Sequence, residues 1–411
     1  MADTIWVDIG TSCTMDCRGQ DFEHAIKGLP DALRAVESLF AQLWVVAGTY
    51  KPTTGTTRTA SIGLLDGVGI YGGFDGSETV LGDRDFVNNV TILSGDVGTG
   101  DADSYHVVNG SGTASSAALD GFTITGGFAD GTSPNNKGGG MYNSAGDPTV
   151  VNCIFTGNTA VSGGAVYNNV ASPDFTDCTF ESNTATQAGG AVFNRGAGAP
   201  SFTSCVFRSN TADGGGATED GGAMYNGGND PTLVNCLFYD NTANDDGAAM
   251  YNTDADPTIT NCTFVDNVAV GTSGGVYNGG SSAPTITNSI LWGNDDGGSV
   301  VQDAQIKDAG SGSSIVTYCD IQDATPGATP FPFGGSSNNN IDTDPMFVKA
   351  STDNYHIVSG SGVIDTGNNS AISETTDLDG LTRKVDSGGG VTVDMGPYEM
   401  QGEGCNAQPI I

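Results

Sequence analysis

One pattern recurs along the middle of the chain at nearly constant spacing, and it constrains the fold more than any other feature. It reads Gly-Gly-Ala-(Val/Met)-Tyr-Asn, a short polar link, Pro-Thr-x-x-Asn-Cys-x-Phe, then x-x-Asn-Thr-Ala. The Asn closing the first phrase falls at Asn143, Asn168, Asn194, Asn226, Asn252 and Asn278, in steps of 25, 26, 32, 26 and 26 residues. The Cys of the second phrase falls at Cys153, Cys178, Cys205, Cys236 and Cys262. Ser289 takes that slot next, and Cys319 reads as one further coil. The third phrase marks Asn158, Asn183, Asn210, Asn241, Asn267 and Asn294.

Each phrase is too short for an ordinary helix and is bounded by Gly, Pro or Asn. The Phe column (Phe155, Phe180, Phe207, Phe238, Phe264, then Leu291) is apolar throughout, and so is the column three residues before the Cys. Identical residues at identical phase stack when short strands coil over their own copies about 4.8 Å apart. The expectation is an all-β parallel β-helix with three short strands per coil of about 26 residues. Propeller blades need about 40–45 residues, and the Leu-x-x-Leu-x-Leu of leucine-rich repeats is absent. Stacked Asn amides would bond along the axis, and Gly would serve the corners. The Cys column reads as small buried hydrophobes, since the Cys-x-x-Cys clustering of zinc sites is missing. The column Tyr142, Tyr167, Phe193, Tyr225, Tyr251 and Tyr277 reads as core or corner stacking, with an exposed sugar platform as the alternative.

The ends differ. Residues 1–60 form an N-terminal cap and first coil, with Ile5-Trp6-Val7 as a strand and helical spacing from Phe22 to Phe40. Residues 61–325 are the β-helix, and 326–411 a C-terminal coil and irregular cap after a loose stretch at 295–340. A helix over the first coil would cover an open sheet edge.

Charge narrows the function. The 48 acidic residues outweigh 13 basic ones, for a net charge of −35, which excludes a nucleic-acid partner. No apolar run reaches the ~18–20 residues of a transmembrane helix. The start, Met-Ala-Asp-Thr-Ile-Trp-Val-Asp, shows no signal peptide. Of nine cysteines, Cys13, Cys17 and Cys405 lie outside the repeat. A Cys13–Cys17 disulfide and a pair of free thiols both stay open.

The repeat phrases resemble those of polymorphic outer-membrane proteins and bacterial right-handed β-helix surface proteins. The opening is similar to their N-terminal coils, in Trp44-Val45-Val46-Ala47-Gly48-Thr49-Tyr50 and Gly67-Val68-Gly69-Ile70-Tyr71-Gly72-Gly73-Phe74. The end resembles a choice-of-anchor Q region, in Asp342-Thr343-Asp344-Pro345-Met346-Phe347, Thr376-Asp377-Leu378-Asp379-Gly380, Arg383 and Met395-Gly396-Pro397-Tyr398-Glu399. The resemblance implies a secreted or cell-surface β-helix without assigned catalysis.

Outward acids supply the candidate site. Asp240 and Asp266 share a slot in adjacent coils, as do Asp230 and Asp256, with Asp245, Asp246 and Asp254 nearby. From residue 209 to 306 there are 13 acids and no Lys or Arg. Carboxylates one coil apart repel unless neutralised, and calcium is the natural hard cation for oxygen ligands. Asp230, Asp240, Asp256 and Asp266 are therefore the expected metal ligands, against a merely solvated acidic face. His24, His106 and His356 are scattered, so no catalytic constellation is read, and Asp377-Leu378-Asp379-Gly380 reads as a capping turn. Two functions follow. The first is a structural or adhesive surface protein that binds a matrix surface or self-associates into filaments. The second is a carbohydrate-binding or polysaccharide-degrading β-helix. Exposed aromatics beside clustered Asp would favour the second.

Overall fold

The structure, a computed structural model of the chain, describes residues 3–8, 28–35, 41–98, 103–214, 220–322, 333, 337–383 and 392–401. The chain divides into two compact units, Met1–Ser201 and Phe202–Ile411. Among the described residues no helix is long and apolar enough to cross a membrane.

In the second unit the repeat lays each phrase over its copy in the next coil. Strands Thr232–Val234, Thr258–Thr260, Thr285–Thr287 and Ile315–Thr317 pair in parallel. Val206–Arg208, Leu237–Tyr239, Thr263–Val265, Ile290–Trp292 and Asp320–Ile321 form a second sheet. Met224–Gly227, Met250–Thr253, Val276–Gly279 and Ile306–Asp308 form a third. The first unit repeats this plan. Its first sheet runs from Asp3–Val7 through Ala41–Val46 and Val68–Phe74 to Asp174–Thr176.

Each repeat coil carries a fourth short strand beyond the three expected, built by the Asn-Thr-Ala phrase, as in Thr211–Ala212, Thr242–Ala243 and Val268–Ala269. The Pro-Thr-x-x-Asn-Cys-x-Phe phrase makes two strands. The chain bends at the residue before the Cys, where Asn235, Asn261 and Asn288 have φ of 54°, 53° and 53°. Asn tolerates this left-handed backbone better than β-branched residues do.

The columns fill the interior as their periodicity requires. In the second unit Phe207, Phe238 and Phe264 are fully buried, with ring centroids 4.3 and 4.8 Å apart. Two amide ladders run beside them. Asn226 Nδ2 donates to Asn252 Oδ1 and Asn252 Nδ2 to Asn278 Oδ1, each at 2.8 Å. The other runs from Asn210 through Asn241 and Asn267 to Asn294 and ends on the buried Gln305. Gln305 closes a short helix, Gln302–Gln305, that no repeat phrase announces. The first unit has matching ladders, Asn143 to Asn168 to Asn194 and Asn158 to Asn183.

The six described cysteines are buried and free. Their slot does hydrogen-bonding work as well as packing. Cys236 N–H donates to Cys262 Sγ, Cys262 N–H to Ser289 Oγ, and Ser289 N–H to Cys319 Sγ, at 3.4, 3.2 and 3.4 Å. Because Ser289 fills the slot in the same way, Cys262→Ser should cost below about 1 kcal/mol. A urea-unfolding midpoint checks this, and a loss above about 2 kcal/mol would refute a shared slot chemistry. Cys13, Cys17 and Cys405 lie outside the described residues.

At the N-terminus a helix spans Leu29–Ala35, with Leu29 and Ala32 buried. The rest of the expected helical stretch lies outside the described residues. At the other end the cap does more than close the stack. Ile341 bonds to the last coil through Ile321 N–H and Cys319 C=O. The chain then returns along the outside of the second sheet, through an antiparallel hairpin of Phe347–Lys349 and Asn354–Ile357. Tyr355 and Tyr398 pack on Leu237, Tyr239 and Val265. The three bend asparagines fasten this strap. Asn235 Nδ2 donates to Thr376 C=O, Asn261 Nδ2 to Asp394 C=O, and Asn288 Nδ2 to Asn368 C=O.

Candidate functional site

The third sheet of the second unit turns one side inward and one outward. Met224, Met250, Val276 and the ladder asparagines point in. Strand alternation therefore puts Tyr225, Tyr251 and Tyr277 outside. These rings are half-buried and nearly parallel, with centroids 5.2 and 4.8 Å apart. Two residues on, the outer side carries the small residues Gly227, Thr253 and Gly279, and Gly279 is buried beside the tyrosines. A Cβ on Gly279 would lie 3.4 Å from the Tyr277 ring and 3.6 Å from the Tyr251 hydroxyl. The three rings stack on one another on the outer side of the strands at intermediate exposure.

The corner before these strands holds the acids. Asp220, Asp246 and Thr272 occupy one slot in successive coils, and Asp245 stands beside Asp246. One carboxylate oxygen each from Asp220, Asp245 and Asp246 lies within 4.8 Å of the others. Asp246 Oδ1 accepts the Thr272 N–H at 2.7 Å and its Oγ1–H at 2.8 Å. Asp246 N–H donates to Asp220 Oδ1 at 3.4 Å. A Cβ on Gly271 would fall 2.6 Å from Asp246 Oδ1 and 2.9 Å from Asp245 Oδ1, so glycine is what leaves the carboxylates room. The tyrosines feel this charge. Burial first, then Asp220, raises the Tyr251 phenol above its ordinary range. Burial first, then Asp246, raises Tyr277. Both phenols are thus held neutral beside the carboxylates. The three carboxylates offer hard oxygen ligands to a divalent cation.

The four aspartates expected as ligands stand elsewhere. Asp230 and Asp256 sit at the turn before the first strand, Asp240 and Asp266 at the end of the second. Asp230 Oδ1 accepts the Asp256 N–H at 2.7 Å, and Asp256 Oδ1 the Ala283 N–H at 2.6 Å, so this column pins one coil to the next. Asp266 Oδ2 accepts the Tyr355 hydroxyl at 3.3 Å under the strap. Burial and the neighbouring Asp353 and Asp266 raise the Asp240 carboxyl. Asp254 accepts the Ser281 N–H and hydroxyl. Among the described residues, Asp220, Asp245 and Asp246 form the metal-sized group. Asp220 went unnoticed because it opens a phrase and has no acid one coil earlier. The 26-residue offset to Asp246 was the available signal.

The family described as a right-handed beta helix region matches residues 141–305 and 217–374, together more than half of the 411 residues. The chain belongs to the right-handed β-helix family. No curated protein matches this β-helix. Among solved structures it is similar to the crystal structure of pectate lyase Pel9A, at 13% identity and a TM-score of 0.52, over 96% of each chain. At that identity the likeness is one of fold.

Proposed function

We propose that this β-helix binds polysaccharide outside the cell, laying the chain along the Tyr225–Tyr251–Tyr277 stack with a calcium ion at Asp220, Asp245 and Asp246. The observation that carries the reading is the convergence of three carboxylates beside a half-buried tyrosine ladder. The stacked rings present their edges and hydroxyls along the coil axis, a row of polar contacts at the repeat of the coils. A cation there would relieve the mutual repulsion of the acids and accept sugar oxygens as further ligands. The resemblance in fold to a pectate lyase supports the choice of a saccharide over a protein partner.

The reading stops at binding. No Lys or Arg lies between Arg208 and Lys307. Arg208 bonds to the Tyr239 hydroxyl, and Lys307 bonds to Asp303. Neither side chain is thus free to act as a cationic base or charge stabiliser in the tyrosine corner.

Affinity electrophoresis through gels containing polygalacturonate or neutral glucans tests this, with calcium and with chelator. Retardation should require calcium. Asp246→Asn and Tyr251→Ala should each weaken it at least about tenfold. Equal migration in all gels, or retardation indifferent to both substitutions, would reject the proposal. Unsaturated products released by the wild type but not by Asp246→Asn would replace binding by cleavage.

A further inference from the structure

A cavity of about 450 Å³ opens in the first unit beside the helix Leu29–Ala35. Volumes of about 300–1,000 Å³ are usual for small-ligand sites. The helix lines it with Leu29, Pro30 and Arg34, and the chain that leaves the strand Gly48–Tyr50 lines it with Lys51, Pro52 and Thr53. Leu29, Tyr50 and Pro52 are buried, so part of the lining is apolar and firmly seated. Tyr50 is held by its hydroxyl, which donates to Val46 C=O at 3.0 Å.

The polar part of the lining is rich in donors. Arg34 Nη1 donates to Asp31 Oδ1 at 2.8 Å on the same helix, and Lys51 Nζ donates to Asp96 Oδ2 at 3.1 Å. Both pairs are exposed, where such contacts hold weakly. A guanidinium has five N–H donors and an ammonium three, so most of these donors stay open to a ligand. Thr49 and Thr54 add hydroxyls that make no bond among the described residues. Thr53 Oγ1 accepts the Gly55 N–H at 3.1 Å and keeps its own hydrogen to give. Elsewhere in this unit Arg58 is closed onto Phe128 C=O and Asp130, and Arg84 onto Asp120. Against its two cations the lining sets one acid, Asp31, in a chain of net charge −35. The cavity is thus locally positive where the molecule as a whole is strongly negative.

We infer that this cavity binds a small hydroxylated organic acid, of the chemistry of a sugar acid. Arg34 and Lys51 take the carboxylate, and the planar Arg34 fork suits it with two parallel bonds. The threonine hydroxyls meet the ligand's hydroxyl groups, and the buried Leu29 and Pro52 face its C–H surface. The inference does not rest on the saccharide reading, which concerns residues of the second unit. It also needs no metal, since the lining offers a single carboxylate.

Titration of the whole chain with D-galacturonate, followed by ¹H–¹⁵N correlation spectra, tests this. A chelator is present throughout, so that the tyrosine corner holds no calcium. The amides of Arg34, Lys51 and Thr53 should shift. D-galactose, which lacks the carboxylate, and inorganic phosphate, which lacks the sugar, should each bind at least about tenfold more weakly. Arg34→Gln combined with Lys51→Gln should weaken galacturonate at least about tenfold, while Tyr251→Ala leaves it unchanged. Both replaced side chains are exposed, and resonances outside the cavity report whether the double variant keeps its fold. Galactose or phosphate binding as tightly as galacturonate would overturn the inference, as would a folded double variant that binds like the wild type. Spectra unmoved at about 10 mM galacturonate would overturn it as well.

Discussion

Asn241→Ala should lower the stability of the protein by about 3–5 kcal/mol, among the largest effects of any single substitution. Asn241 is fully buried and every polar atom of its amide is engaged. Its Oδ1 accepts both the backbone N–H and the Nδ2 of Asn210, each at 3.0 Å. Its Nδ2 donates to Phe207 C=O at 2.9 Å and Asn267 Oδ1 at 2.8 Å. Alanine would leave two donors and two acceptors short of a partner. Each such orphan costs about 1–3 kcal/mol, and relaxation recovers part of the sum. A rung of the ladder also supports the rungs on either side, because aligned amides polarise one another. Asn244→Ala is the control, since Asn244 Nδ2 makes an exposed bond to Asp213. It should shift the urea midpoint by less than about 0.5 kcal/mol. Equal effects for the two would mean that the interior amides are dispensable.

The second large effect is on pH. Stability should fall as pH rises toward neutrality and level off above about 7. The reason lies in the strap, where Asp394, Glu399 and Asp377 gather round the buried Arg383. Arg383 stands 3.5 Å from Glu399, and one guanidinium cannot neutralise three carboxylates. Burial, then Glu399, pushes the Asp394 carboxyl up to about 7, although its oxygens accept the Asp365 and Met400 N–H groups at 2.7 Å. An unfolded Asp titrates near 3.9. Between these values the folded state holds a proton that the unfolded state has released. The stabilisation is thus complete below the unfolded value and lost as pH rises through the folded one. About three pH units correspond to about 4 kcal/mol at most. Urea midpoints between about pH 5 and pH 8 check it. Because the acidic chain also repels itself more as pH rises, the slope must be compared with that of Asp394→Asn, which should be flatter. A wild type that gains stability over this range would contradict the assignment.

The coil was legible because its signals are periodic. Asn168, Cys178 and Phe180 each return one coil later in the same role, so phase alone places them. The bend at Asn235 was hidden, since Pro-Thr-x-x-Asn-Cys-x-Phe reads as one strand unless the left-handed residue is known. The strap was hidden for a different reason. Its contacts with Asn235, Asn261 and Asn288 join residues 80–141 positions apart, and no local pattern records them. The candidate site fell between these cases. Asp245 and Asp246 stood out as an acidic pair, whereas Asp220 acquires meaning only when one coil is laid on the next. Asp230 and Asp256 misled because a repeated outward acid can serve the backbone of the next coil as well as a cation.

The amide ladders also give the molecule a direction. In the third-sheet ladder of each unit the side-chain N–H points toward the C-terminal end and the oxygen toward the N-terminal end. In the first unit this leaves Asn143 Oδ1 without a partner at the start of its row. In the second, the last donor, on Asn278, meets the Asp308 carboxylate at 3.0 Å and Ser314 Oγ at 3.0 Å. An anion closing the positive end of a row of dipoles is the arrangement that electrostatics favours. Such a row can be lengthened by a coil inserted between Asn252 and Asn278, because the newcomer both receives and gives. It cannot be extended past Asp308, which accepts and has nothing to pass on. The sequence thus writes an arrow with a defined stop, at the Asp308 carboxylate.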